Sequence, residues 1–165
     1  MYYLNNFFFF SIIGFIMETI INLSLNQSLD SGFLKLPYTP IYGLGILIII
    51  IINKLLDKYH LNKHIKLIIT FLLNTTILTL IEYIGGITLK AVLHKSFWDY
   101  CGLPLSIGKY ISLEISLLWG LLSLIYLYLV KKHIDKFVNK IPKFITYINI
   151  ILISIDLLYI IIKIN

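Results

Sequence analysis

Five long apolar runs dominate this chain, and each is close to the length of helix that crosses a bilayer. They extend from about Phe7 to Leu25, Tyr38 to Ile52, Ile65 to Leu89, Ile107 to Val130 and Phe144 to Ile164. Spanning the hydrocarbon takes about 20 mostly apolar residues in a helix. The second run is short and opens with Pro37 and Pro40. Proline fits a helix start, where its missing N–H removes no hydrogen bond. Of the 165 residues, 59% are hydrophobic and 13% charged, and the mean hydropathy is +0.90. A soluble domain of this size needs a polar coat that so few charges cannot supply, so the solvent for its surface is lipid. The fold class is therefore all-α: a polytopic transmembrane helix bundle, read as one integral membrane domain over 1–165. There is no internal repeat and no separate soluble domain.

All fourteen bases are lysine, and their placement orients the bundle. Lys54, Lys58, Lys63 and Lys66 lie between the second and third runs, and Lys131, Lys132, Lys136, Lys140 and Lys143 between the fourth and fifth. The other two loops hold only Lys35 and the set Lys90, Lys95 and Lys109. Positive charge stays on the cytoplasmic side, so the N-terminus is expected inside and the C-terminus outside. Phe97, Trp98, Tyr100 and Tyr110 then fit an outer aromatic belt. The pI near 9.3 reflects this topology rather than a nucleic-acid partner. Met1–Asn6 has no basic n-region and no small-residue cleavage site follows, so the first run is expected to be a retained helix. Cys101 is the single cysteine, which excludes an intrachain disulfide or a cysteine metal cage. The abundance of Ile, Asn, Lys and Tyr fits an AT-rich bacterial genome and a multi-pass protein of the cytoplasmic membrane.

Acids inside spans are the main functional signal, because a charge at mid-bilayer costs roughly 2.5–3.5 kcal/mol or more. Glu18, Glu82, Glu114 and Asp156 all fall within the runs. With the orientation above, Glu18 and Glu82 each lie seven residues before an outer end, and Glu114 seven after one. All three are expected in one layer, roughly 10 Å below the outer surface at 1.5 Å per residue. Asp156 falls close to it, unless the last helix turns it toward water. Such acids either bind one another's helices or line a polar cavity for a solute or proton. Acids this close stay ionised only where cations neutralise them, and Lys109 is the nearest base in sequence to Glu114. His60 and His64 have metal-ligand spacing, but in a lysine-rich loop without a third ligand they read as solvated. No metal or cofactor is expected. The chain has no Walker A, Rossmann, G-x-S-x-G or H-E-x-x-H pattern, so ATP-driven transport would need a separate ATPase subunit.

Three stretches together resemble a known family. They are Gly14-Phe-Ile-Met-Glu18-Thr19 with Gly32-Phe-Leu-Lys-Leu-Pro37-Tyr38-Thr-Pro40-Ile-Tyr42-Gly43-Leu-Gly45; Glu82-Tyr83; and Trp98-Asp99-Tyr100 with Gly108-Lys109, Leu113-Glu114 and Leu118-Trp119-Gly120. In order and spacing they resemble the CmpB-like family of small membrane proteins, ABC-transporter type IV permeases, over about residues 11 to 130. The fifth run lies outside the resemblance. Leu36 stands where that family usually has glycine, Thr39 where it has cysteine, Cys101 where it has serine and Lys109 where it has arginine. Lysine keeps the charge but loses the bidentate fork. Gly43, Gly45 and Gly120 suit close helix packing, whereas Trp98 and Tyr100 suit the belt. Asp99 between them has no role in a belt.

The sequence thus leads to a permease-like component, with Tyr38, Tyr42, Asp99 and Lys109 above Glu18, Glu82 and Glu114. A structural or regulatory subunit is the first alternative. An intramembrane carboxylate enzyme acting on a lipid-linked substrate is the second. A bundle this small favours self-association or a partner.

Overall fold

The computed structural model describes residues 1–24 and 33–164. Gly32 and the expected end of the first span at Leu25 lie outside the described residues. Helix α1 covers Tyr2–Ser24 and α2 Pro40–Leu56, the latter continuing as a short 3₁₀ turn to Tyr59. Helix α3 covers Lys63–Leu93 and α4 Leu113–Ile125. A π-helical turn over Tyr126–Val130 joins α4 to α5, Lys131–Val138, and α6 covers Lys143–Ile164. Among the described residues, five helices are long and apolar enough to span a membrane, the fourth running unbroken from Leu113 to Val138. Large apolar side chains such as Ile84, Leu129 and Ile162 stand exposed along them. A soluble protein rarely shows so much apolar surface; lipid makes it the favourable one.

The backbone packs as two compact units. The first is Met1–Leu44 with Asp135–Asn165, and the second is Gly45–Ile134.

In the first unit, Phe8, Leu34 and Tyr38 form the core, with Ile150, Ile153 and Ile160 packed on it. The loop before α2 is tied down by polar bonds: Thr39 N–H donates to Ser11 O at 2.9 Å, and Tyr38 Oη donates to Asn149 Oδ1 at 2.5 Å. Helix α1 starts at Tyr2, earlier than the hydropathy indicates, because Asn5 and Asn6 are buried rather than solvated. Asn5 donates to Val138 O at 3.1 Å and accepts from Thr146, so its amide is satisfied inside the unit. Gly14 and Gly43 make close approach possible: a Cβ on Gly14 would overlap the Tyr42 ring, and one on Gly43 would sit 2.6 Å from Phe7 O.

The second unit is an antiparallel α3–α4 pair joined by the loop 94–112, with part of α2 alongside. The buried face of α3 steps every four residues through Thr70, Asn74, Leu78, Glu82 and Gly86, as one stripe of an α-helix must. Its counterpart on α4 is Ser116, Gly120 and Ser123. Asn62 caps α3, its side chain accepting from His64 N–H at 3.1 Å. Helix α4 starts at Leu113, six residues later than the expected start at Ile107. Those residues instead close the loop, with Ile107 N–H donating to Ile111 O at 2.8 Å and Gly108 at φ +69°. Left-handed backbone of that kind favours glycine.

Candidate functional site

Glu82 is the best-defined intramembrane acid. Its α3 position on the buried stripe leaves it only 7% exposed. Oε1 accepts from Tyr100 Oη at 2.5 Å, and Oε2 accepts from Trp119 Nε1 at 3.1 Å. Both oxygens accept, as an ionised carboxylate's do, and charge-assisted bonds of this kind are the strong ones. Thus one oxygen is held by the loop and the other by α4.

The loop above it is itself folded. Lys109 Nζ lies 3.1 Å from Asp99 Oδ2, and Asp99 Oδ1 accepts the Cys101 N–H at 2.9 Å. Tyr100 N–H donates to Lys109 O at 2.8 Å, which fixes Tyr100 over Glu82. The Cys101 backbone and side chain, and then Lys109, hold the Asp99 carboxyl down at about 2. Asp99 in turn pushes both the Lys109 ammonium and the Cys101 thiol up. Tyr110 is buried against Gly86, where a Cβ would sit 2.6 Å from its ring, and Trp98 meets Tyr110 edge-on at 6.0 Å. Tyr100 and Tyr110 therefore point into the unit rather than forming a belt. Lys109 pairs with Asp99, not with Glu114.

Glu114 occupies the first turn of α4, where a carboxylate is favoured by the unpaired N–H groups. It accepts from Leu105 N–H at 3.2 Å and from the Ser112 hydroxyl. Glu82 lies eleven residues before the end of α3 at Leu93, whereas Glu114 is one residue past the start of α4. These two glutamates consequently do not share the layer expected from hydropathy. The cause is the late start of α4, whose apolar lead-in belongs to the loop.

The other expected residues lie in the first unit. Glu18 is half-buried on α1, and Tyr42 packs against Gly14. Tyr38 is buried on Asn149, while Pro37 and Pro40 frame the entry to α2. Asp156 is 5% exposed and accepts the Leu36 N–H at 2.9 Å. It thus braces the loop before α2 instead of turning to water. In the second unit, a Cβ on Gly45 would lie 3.3 Å from Leu78 Cδ2, tighter than ordinary packing, and Gly120 leaves room for Thr75 and Phe71. The sequence reading missed Asn149, Thr146, Asn74 and Ser123, all of them polar partners inside apolar runs. For Asn74 the eight-residue spacing to Glu82, two four-residue steps along one helix face, was a usable signal.

Helices of this length and hydropathy, with a carboxylate buried between two of them, define a polytopic helical membrane protein. The chain belongs to the family described as "Putative ABC-transporter type IV", whose model matches residues 5–163. That match runs well beyond the stretch 11–130 and takes in the fifth span with Asp156. Comparison with curated proteins and with solved structures returned no match.

Proposed function

We propose that this chain is the membrane-embedded, permease-like component of an ABC-type transporter and that Glu82 is its working carboxylate, reached from the outer face. The observation that carries this reading is the two-donor clamp on Glu82: Tyr100 from the loop and Trp119 from α4. A proton or cationic group arriving at Glu82 competes for the oxygen lone pairs that hold Tyr100. Loading the carboxylate then loosens Tyr100 and, through the Tyr100–Lys109 backbone bond, the loop that carries the Asp99–Lys109 pair. Chemistry and gating share one hydrogen bond. The chain itself is non-enzymatic in this reading, and a separate ATPase subunit supplies any ATP hydrolysis. The lysine-rich loops favour a cytoplasmic N-terminus and a cytoplasmic position for that subunit.

One observation favours the rival reading of a structural subunit: both Glu82 oxygens already have protein donors, as a packing brace requires. Complementation separates the two. A strain lacking the gene is grown in defined medium, and solute depletion is followed by mass spectrometry with wild type or Glu82→Gln restored. Transport predicts a depletion deficit that wild type repairs and Glu82→Gln, inserted at normal levels, does not. Full repair by Glu82→Gln, or identical depletion with and without the gene, would overturn the proposal.

A further inference from the structure

The turn between α5 and α6 gathers lysines that no acid neutralises. Lys136, Lys140 and Lys143 fall within eight residues, all three exposed and without an ion-pair partner among the described residues. The one acid in this segment, Asp135, is turned toward α1, where its Oδ1 accepts from Tyr2 Oη at 2.6 Å. Asn5 of α1 and Thr146 of α6 meet beside the turn. The unit's other described acids, Glu18 and Asp156, stand thirteen residues past Asn5 and ten past Thr146. At the helical rise those steps are about 20 and 15 Å along the spans, out of reach of the lysines.

The turn is held in shape from within. Val138 is fully buried, its carbonyl accepts from Asn5 Nδ2 at 3.1 Å, and the Thr146 hydroxyl donates to Asn5 Oδ1. Asn139 N–H donates to Asp135 O at 3.0 Å, and Lys140 N–H donates to Phe137 O at 3.0 Å. The lysine stems thus leave an ordered backbone, and less freedom is lost when they close on a ligand. Two aromatic rings share this surface. Phe137 is 55% exposed although its ring lies 5.4 Å from that of Phe9, and Phe144, the second residue of α6, is 62% exposed. Phe9 belongs to the apolar run Phe7–Phe10 of α1, so Phe137 reaches the level of the hydrocarbon. Rings dipped into hydrocarbon, with ammonium groups at its edge, mark a segment that lies in the headgroup layer. An acidic soluble protein would match the lysines but not two rings at that depth. A phospholipid matches both.

We infer that the α5–α6 turn is a binding site for an anionic phospholipid of the leaflet at the lysine-bearing end of α6. Lys136, Lys140 and Lys143 hold the headgroup, and the acyl chains lie along Phe137 and Phe144. The site does not depend on the role given to Glu82. Each lysine beside an anionic headgroup strengthens binding about 5-fold.

Native mass spectrometry of the full chain, released from a neutral detergent, tests the site. The probes are dioleoyl phosphatidylglycerol and, as the zwitterionic comparison, dioleoyl phosphatidylcholine. Wild type should prefer phosphatidylglycerol by on the order of 100-fold, and joint Lys136→Gln, Lys140→Gln and Lys143→Gln should abolish the preference. A matched triple, Lys54→Gln, Lys58→Gln and Lys63→Gln, removes the same charge from the segment between the second and third spans and should keep it. Equal binding of the two lipids by wild type would overturn the site and leave the lysines to an acidic protein surface. Equal loss in both triples would overturn it by showing that net charge alone is read. Displacement of the lipid by equimolar inorganic phosphate would overturn the lipid as occupant. Should the first triple fail to insert, its single variants are measured instead, each expected to weaken the adduct about 5-fold. Phe144→Ala, which keeps every charge, should weaken it as well. Unchanged binding in all four would sink the proposal.

Discussion

Replacing Tyr100 with Phe removes one hydroxyl and nothing else from the Glu82 clamp. The ring that covers the carboxylate stays, while the 2.5 Å bond to Oε1 is lost. Glu82 is 7% exposed, so water cannot readily replace the donor. A hydrogen bond to a charged group contributes about 1.5–3 kcal/mol and one between neutral groups about 0.5–1.5 kcal/mol. Because both Glu82 oxygens accept, the higher range applies, and Tyr100→Phe should destabilise the second unit by about 2 kcal/mol. For a chain of this length that corresponds to a fall in Tm of roughly 4–8 °C. The assay is thermal unfolding in mild detergent of wild type, Tyr100→Phe, Glu82→Gln and the double variant. The cycle isolates the coupling, because Tyr100→Phe should cost little once the carboxylate charge is gone. A loss below about 0.5 kcal/mol, or an equal loss in the Glu82→Gln background, would refute the clamp.

Four further outcomes can be measured. Gly86→Ala places a Cβ 2.6 Å from the Tyr110 ring and should cost about 1–3 kcal/mol by overpacking, read from the same melts. Near-wild-type stability would show that the loop does not seat there. At the loop, Asp99→Asn removes the group that pushes the Cys101 thiol up, so alkylation of Cys101 at pH 8 should accelerate; an unchanged rate counts against the contact. Asp99 itself is depressed from an ordinary 3.8 to about 2, so its support for the loop is complete above pH 4 and lost as pH falls through about 2. Protection of the loop from acid-active protease should follow that same window. Finally, reporters fused at the C-terminus should be active only outside the cytoplasm; a cytoplasmic signal would reverse the orientation proposed from the lysines.

Length, hydropathy and the scarcity of charge were sufficient to specify five apolar spans, because the bilayer admits few solutions for such a chain. Family membership was likewise legible, carried by Pro37–Gly45, Trp98–Tyr100 and Trp119–Gly120. Glu82 could also be singled out, since a carboxylate in a long apolar run is costly wherever the run folds. Pairing was not legible. Hydropathy cannot tell an apolar loop residue from a helical one, so Ile107 and Ile111 were read into α4, and Glu114 with them was set too deep. Nor can it show that Tyr100 turns inward to Glu82, that Lys109 chooses Asp99 or that Asp156 braces Leu36. Those choices depend on which groups meet once helices are side by side, and each is decided by a buried polar atom needing a partner. The sequence determined that an acid would lie within the membrane; only the packing of α3, α4 and their loop decided which side chains hold it.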